Sequence, residues 1–236
     1  MNFCVRPSKS FLFDILEKRL KKITHGVGLD AASASFKNRR MFKTDFYYGL
    51  DNNLSLLQKG VKQNKLDNIL GIYGDLTNLD LLPNNSIDVV VSTNTLYCLP
   101  LNKRIIAIDN LCRLVSPEGY FFCQLTLNND FKREIDIIKT KFDNVKIIYY
   151  CNIFSRAYEW IFEKDGYLGS HPIAGLKLFR LLAWLISRLE YLTCFFSFLN
   201  KHVFIICTDK KNCHKKNAFK LSHLSLVEER IYNLMN

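Results

Sequence analysis

The sequence predicts a doubly wound α/β domain with a mostly parallel, seven-stranded sheet, and three observations carry that reading. Apolar segments of strand length alternate with amphipathic helical segments between residues 25 and 126, a rhythm that implies right-handed βαβ crossovers. The strongest strand, Ile87-Asp88-Val89-Val90-Val91-Ser92, is largely β-branched, as suits a strand buried on both faces. Three successive strands end on or beside an aspartate, in Leu29-Asp30, Leu50-Asp51 and Tyr73-Gly74-Asp75. With 236 residues the chain suits one large two-sided domain and is short for two of ordinary size.

Taken in order, the first element is an amphipathic cover helix. Ser10 caps it, and Leu12, Ile15, Leu16, Leu20 and Ile23 recur at helical spacing opposite Glu17, Lys18 and Lys21. Next come a short strand through Leu29 and Asp30, a short helix over 36–41, and strands over 46–51 and 69–73 with a helix over 54–63 between them. The fourth strand, 87–92, leads into a helix over 101–115, and Pro117-Glu118-Gly119 turns the chain into a fifth strand over 120–125. A helix over 131–142, a strand over 145–151, a mainly helical stretch over 153–199 and a last strand over 202–207 complete the set. The chain thus divides into a cover helix (1–24), a main domain (25–208) with a helical insertion at 153–200 for substrate or membrane contact, and a basic tail (209–236) with a short helix.

The formal net charge is +11, which draws the chain toward anionic partners: a nucleic acid, an anionic membrane surface or a phosphorylated substrate. A merely soluble basic surface explains the charge equally well. The eight cysteines are scattered without a Cys-x-x-Cys pair and read as reduced, buried small residues. No long apolar leader opens the sequence, so a cytoplasmic location is the default. Within 174–199, Lys177, Arg180 and Arg188 fall in an arc of about 80°, with Leu178, Leu182, Leu185 and Leu189 outside it. That stretch is too short for a spanning helix and suits a peripheral, interfacial one; packing on the sheet as a cover helix is the alternative.

In doubly wound sheets, ligands sit outside the carboxyl ends of the strands, near the point where strand order reverses. The spacing of Asp30, Asp51 and Asp75 is about one strand–helix step each, which places all three carboxylates on that edge. Such acceptors suit a ligand carrying an ammonium group, ribose hydroxyls and an exocyclic amine. Gly26-Val27-Gly28-Leu29-Asp30-Ala31 also fits the dinucleotide pattern of a nicotinamide-dependent oxidoreductase, but that motif must follow a strand, and here the apparent strand lies over the glycines themselves. No histidine lies at metal-binding spacing, so no metal is predicted. His171 is a candidate base on a loop. There is no Gly-x-Ser-x-Gly elbow and no phosphate-binding loop, which leaves serine hydrolase and nucleotide hydrolase chemistry without support.

Five segments, in order, resemble the class I S-adenosylmethionine-dependent methyltransferases, especially the type 11 group. They are Gly-Leu-Asp-Ala-Ala-Ser-Ala-Ser (28–35), Tyr-Gly-Leu-Asp-Asn (48–52), Gly-Asp-Leu (74–76), Ser-Ile-Asp-Val-Val-Val-Ser-Thr-Asn-Thr-Leu-Tyr-Cys-Leu-Pro (86–100) and Leu-Cys-Arg-Leu-Val-Ser-Pro-Glu-Gly-Tyr (111–120). The resemblance implies a Rossmann-like methyltransferase fold whose last strand is antiparallel, S-adenosylmethionine as cofactor, and methyl transfer to a small-molecule or lipid-like acceptor. It implies that Ala32 and Ala34 lie beneath the methionine part of the cofactor, that Asp51 holds the ribose hydroxyls, and that Asp75 with the Leu76 amide reads the adenine. Ser92 closes the site, and Asp30 and Asn52 belong to the same motifs. The family's usual glycines after the acidic residue are alanines here, adding two methyl groups where a backbone normally approaches closely. A non-catalytic methyltransferase-like protein and a nucleic-acid methyltransferase stand as alternatives. Nucleic acid is the less favoured acceptor, because the Asn/Asp-Pro-Pro-Tyr/Phe signature is absent after the fourth strand. No catalytic residue is assigned.

Overall fold

The computed structural model describes residues 6–162, 176–213 and 215–235. Its strands are β1 (Val27–Ala31), β2 (Phe46–Asp51), β3 (Ile69–Tyr73), β4 (Ile87–Ser92), β5 (Val115–Thr126), β6 (Phe142–Asn152), β7 (Asn200–Lys210), β8 (Leu226–Glu228) and β9 (Ile231–Asn233). The helices are α1 (Pro7–Leu20), α2 (Leu54–Gln63), α3 (Leu101–Leu114), α4 (Phe131–Lys141), α5 (Ile153–Phe162) and α6 (Lys177–Thr193). Among the described residues the sheet has nine strands in the order β6-β7-β5-β4-β1-β2-β3-β9-β8, two more than the sequence suggests. Neighbours from β5 to β9 pair in parallel, and β8 runs antiparallel to β9 at the edge. The chain forms two compact units, Leu20–Lys146 with Ile205–Asn236, and Met1–Arg19 with Ile147–Phe204.

In the larger unit, β1 and β4 lie at the centre of the sheet, and Val89, Val90 and Val91 are fully buried, as the β-branched run requires. Asp88, inside β4, serves the opposite end of the sheet from the carboxyl edge. It accepts the Val27 N–H at 2.8 Å and the Ser116 hydroxyl at 3.1 Å, and pairs with Lys216 at 2.6 Å. A Cβ on Gly26 would lie 2.1 Å from its Oδ2. Gly26 and Gly28 therefore stand at the entrance of β1, where a dinucleotide-binding turn cannot be. The expected turn at 117–119 is a bulge within β5, since Ile87 pairs with Val115 but Val89 pairs with Tyr120.

The tail departs most from expectation. Among its described residues it has no helix; instead β9 lies parallel to β3, with Gly71 opposite Ile231. Two glycines admit it: added Cβ atoms would come within 3.1 Å of the Ile231 side chain at Gly71 and 2.9 Å of Leu234 at Gly74. Arg230 donates to the carbonyls of Val61, Asn64 and Leu66 at 3.1, 2.8 and 2.9 Å, tying the tail to the end of α2 and to the link that leads into β3. The tail thereby blunts what would otherwise be an open edge at β3.

In the smaller unit, α1 begins at Pro7 rather than at Ser10. Proline suits a first helical position because its missing N–H has no partner there anyway, and Ser10 already donates its N–H to the Arg6 carbonyl at 3.0 Å. Phe11, Leu12 and Leu16 are buried. α5 and α6 pack through Tyr158, Phe179 and Ala183, with Phe162 and Ile186 against them. Glu190 is fully buried and accepts the Asn152 N–H at 3.1 Å and the Ser155 hydroxyl. Burial pushes its carboxyl up to about 7.

Candidate functional site

The registers Ala31↔Leu50 and Asp51↔Tyr73 bring the carboxyl ends of β1, β2 and β3 side by side. A cavity of about 190 Å³ opens there. Of the residues singled out by sequence, it gathers Ala32, Asp51, Asn52, Asp75 and Leu76 in its lining. It also takes in Thr95, Leu99 and Lys103, which sequence reasoning missed. These three lie between the end of β4 and the first turn of α3, where no periodicity marks an inward-facing residue. Asp30, Ala34 and Ser92 do not reach the lining. His171 lies outside the described residues.

Each carboxylate has a distinct setting. Asp51, 8% exposed, accepts the Ala34 N–H through Oδ2 at 2.7 Å and the Asn53 N–H through Oδ1 at 2.9 Å, so it ties the loop after β1 to the end of β2. Asp75 is half-buried and accepts both the N–H and the hydroxyl of Thr77 through Oδ1, at 2.8 and 2.9 Å. Its Oδ2 takes no bond from a described residue. Asp30 is enclosed beneath the cavity, receiving Asn38 Nδ2 at 3.1 Å and the Tyr47 hydroxyl at 2.9 Å. Burial outweighs those two bonds and pushes its carboxyl up to about 7. Ser92 is fully buried, and its hydroxyl finds no partner among the described residues.

The loop after β1 keeps a glycine-type backbone without glycines. Ala32, Ala34 and Phe36 have φ of 59°, 49° and 61°, the left-handed region in which a side chain costs roughly 1–2 kcal/mol per residue. A right-handed helix cannot pass through Phe36, so the helix expected over 36–41 shrinks to a single 3-10 turn, Arg39–Met41. The Phe36 ring, 4% exposed, is accommodated by glycines on neighbouring elements. A Cβ on Gly49 of β2 would lie 2.2 Å from Phe36 Cε1, and one on Gly60 of α2 would lie 2.7 Å from its Cγ. Tyr47 meets the ring edge-on at 5.3 Å. A signal for this seat was present in the sequence as two glycines inside a strand and a helix; its partner, Phe36, is evident only in three dimensions.

Among the described residues, no group of three or more metal-ligating side chains comes together. A larger, shallow groove of about 750 Å³ lies between α3 and α4, with Lys132, Arg133 and Asp136 on its walls.

Residues 24–123 match a protein-family model described as "Methyltransferase domain", the type 11 group. No curated protein matches the chain. Among solved structures, the N-methyltransferase NodS from Bradyrhizobium japonicum WM9 aligns with a TM-score of 0.55 at 12% identity, covering 86% of this chain and 97% of that one. A TehB-like methyltransferase from Corynebacterium glutamicum aligns at 0.51 and 12% identity, covering 83% and 88%. The 4+2 cyclase SpnF aligns at 0.56 and 13% identity, covering 85% and 81%. At such identities the structural likeness establishes the fold, a Rossmann-like methyltransferase fold. Over residues 24–123 the chain is similar to the methyltransferase domain of the type 11 group.

Proposed function

We propose that the protein transfers the methyl group of S-adenosylmethionine to a small-molecule or lipid-like acceptor. The observation that carries this reading is the cavity at the carboxyl edge, where Asp51 and Asp75 meet the left-handed loop beginning at Ala32. It lies beside the reversal of strand order at β1, which has β4 on one side and β2 on the other. NodS, of the same fold, has been solved with S-adenosyl-L-homocysteine bound.

The residues present fit such a cofactor. Asp51 offers carboxylate lone pairs to the ribose hydroxyls while keeping its two backbone donors. Asp75 has an acceptor open toward an adenine amine, and the Leu76 amide is the adjacent donor. Ala32 is the apolar contact beneath the methionine part, and the lone hydroxyl of Ser92 lies at the end of β4. The bound cofactor supplies a methyl group already activated by its sulfonium. The protein's task is therefore positioning: holding donor and acceptor in line and keeping water out. A neutral amine acceptor needs no base, whereas a hydroxyl acceptor does.

A second reading, a methyltransferase-like protein that does not transfer methyl groups, is favoured by one observation: Ala32, Ala34 and Phe36 hold positive φ where glycines are usual. Calorimetric titration with S-adenosylhomocysteine tests the site without knowledge of the acceptor. Binding is expected, and Asp51→Ala should weaken it by about 1.5–3 kcal/mol, the scale of a lost charge-assisted hydrogen bond. Unchanged affinity in a variant that melts like the parent removes Asp51 from the site.

A further inference from the structure

We propose that α5, α6 and the turn that follows them form a docking face for an anionic lipid surface. The helices are amphipathic the wrong way round for a protein surrounded by water. In α6 the buried positions are Phe179, Ala183, Ser187 and Glu190, two of them polar. Its outward side carries Leu178, Leu181, Leu182, Leu185 and Leu192 at 78%, 42%, 43%, 50% and 71% exposure. At 3.6 residues per turn these five leucines span an arc of about 100°, centred roughly 155° from the buried set. α5 repeats the inversion: Ser155 and Tyr158 are buried, while Ile153, Phe154, Trp160 and Ile161 are exposed. The turn after α6 adds Phe195 and Phe198, at 78% and 79% exposure. Large apolar surfaces of this kind mark interaction sites.

The charges choose the occupant. Along residues 153–162 and 176–201, the exposed charged side chains are Arg156, Lys177, Arg180 and Lys201, all cations. The acids are turned inward, Glu190 as the fully buried acceptor of Asn152 and Glu159 as acceptor of the Ser8 hydroxyl. Arg188 is committed inside the unit, paired with Asp14 and stacked over Trp184 at 4.9 Å. A second copy brought against this face would set cations against cations. An anionic bilayer instead meets them with phosphates and receives the leucines and aromatic rings at the headgroup boundary. Among the described residues no helix is long and apolar enough to cross a membrane, so the face lies on the surface.

This face acts independently of the methyl-transfer reading, and the full chain without cofactor serves for the test. Co-flotation should retain it on phosphatidylcholine vesicles containing about a third phosphatidylserine, bind it less to phosphatidylcholine alone, and release part of it at high salt. Leu178→Glu with Leu192→Glu, both far out in solvent, should lower binding about tenfold or more, and Lys177→Glu should lower it about fivefold. Circular dichroism checks that both variants stay folded. Absence from both vesicle types overturns the proposal, as does equal binding by the folded variants. Dimerisation in size-exclusion chromatography that the leucine changes abolish, without vesicle binding, assigns the face to a second copy instead.

Discussion

Phe36 and Gly49 should behave as one unit, and a double-mutant cycle measures how strongly. The ring of Phe36 is almost fully buried, so Phe36→Ala should destabilise the protein by about 3–5 kcal/mol through lost transfer energy and the cavity left behind. Gly49→Ala alone places a methyl carbon 2.2 Å from Phe36 Cε1 and 2.5 Å from Cδ1. The ring must yield between β2 and α2, and overpacking of that kind costs about 1–3 kcal/mol. Once the ring is gone, the nearest obstacle to the new methyl is the Ser33 hydroxyl at 2.7 Å, which can rotate away, and the methyl refills part of the cavity. Gly49→Ala should then be nearly neutral, giving a coupling of about 2 kcal/mol between the two positions. Urea unfolding of the parent, both single variants and the double variant gives the four free energies. Coupling below about 0.5 kcal/mol, the ordinary scatter of independent sites, would refute the account of Phe36 as a left-handed residue seated by glycines elsewhere.

Asp30 predicts a pH dependence whose sign follows from burial. Its folded carboxyl titrates near 7, whereas an unfolded one titrates at about 4. Between those values the folded state keeps a proton that the unfolded state loses, so stability falls as pH rises from about 4 to 7 and the penalty stays complete above that range. Three pH units set an upper bound of about 4 kcal/mol. Thermal melting of Asp30→Asn should therefore show a smaller loss of stability between pH 5 and pH 8 than the parent, and parallel curves would exclude Asp30 as a source. Ala34→Gly, at φ 49°, should stabilise the fold by about 1 kcal/mol by relieving left-handed strain, with affinity for S-adenosylhomocysteine equal or better. A lower melting temperature would show that the Ala34 methyl packs productively.

Much of the sheet was legible locally. The second, third and fourth strands run over the residues their patterns indicate, because a period of two or a β-branched run specifies a strand wherever both faces are buried. The aspartates at 51 and 75 were legible for a similar reason: a strand end followed by a polar residue marks the carboxyl edge without any long-range information. β8 and β9, at three residues each, are too short to carry a period. They are received by Gly71 of β3 and Gly74 just after it, which leave room for side chains of the tail. The cavity residues Thr95, Leu99 and Lys103 were hidden for another reason, since a loop residue's direction depends on the loop's path rather than on its neighbours in sequence.

By itself, then, the sequence determined the alternation of strands and helices, the acidic edge and the family resemblance, all of which follow from periodicity and motif spacing within a few dozen residues. Only the tertiary structure decided what those residues do for one another. It buried Asp30 under Asn38 and Tyr47 while leaving Asp51 and Asp75 at the cavity, and it seated Phe36 against glycines of β2 and α2. In α6 it turned Arg188 inward and the leucines outward. Helical periodicity can find an apolar stripe and a basic stripe on one helix, but which of them meets protein and which meets the surroundings is set by the partners packed against it, here Asp14 for Arg188 and the Asn152 amide with the Ser155 hydroxyl for Glu190.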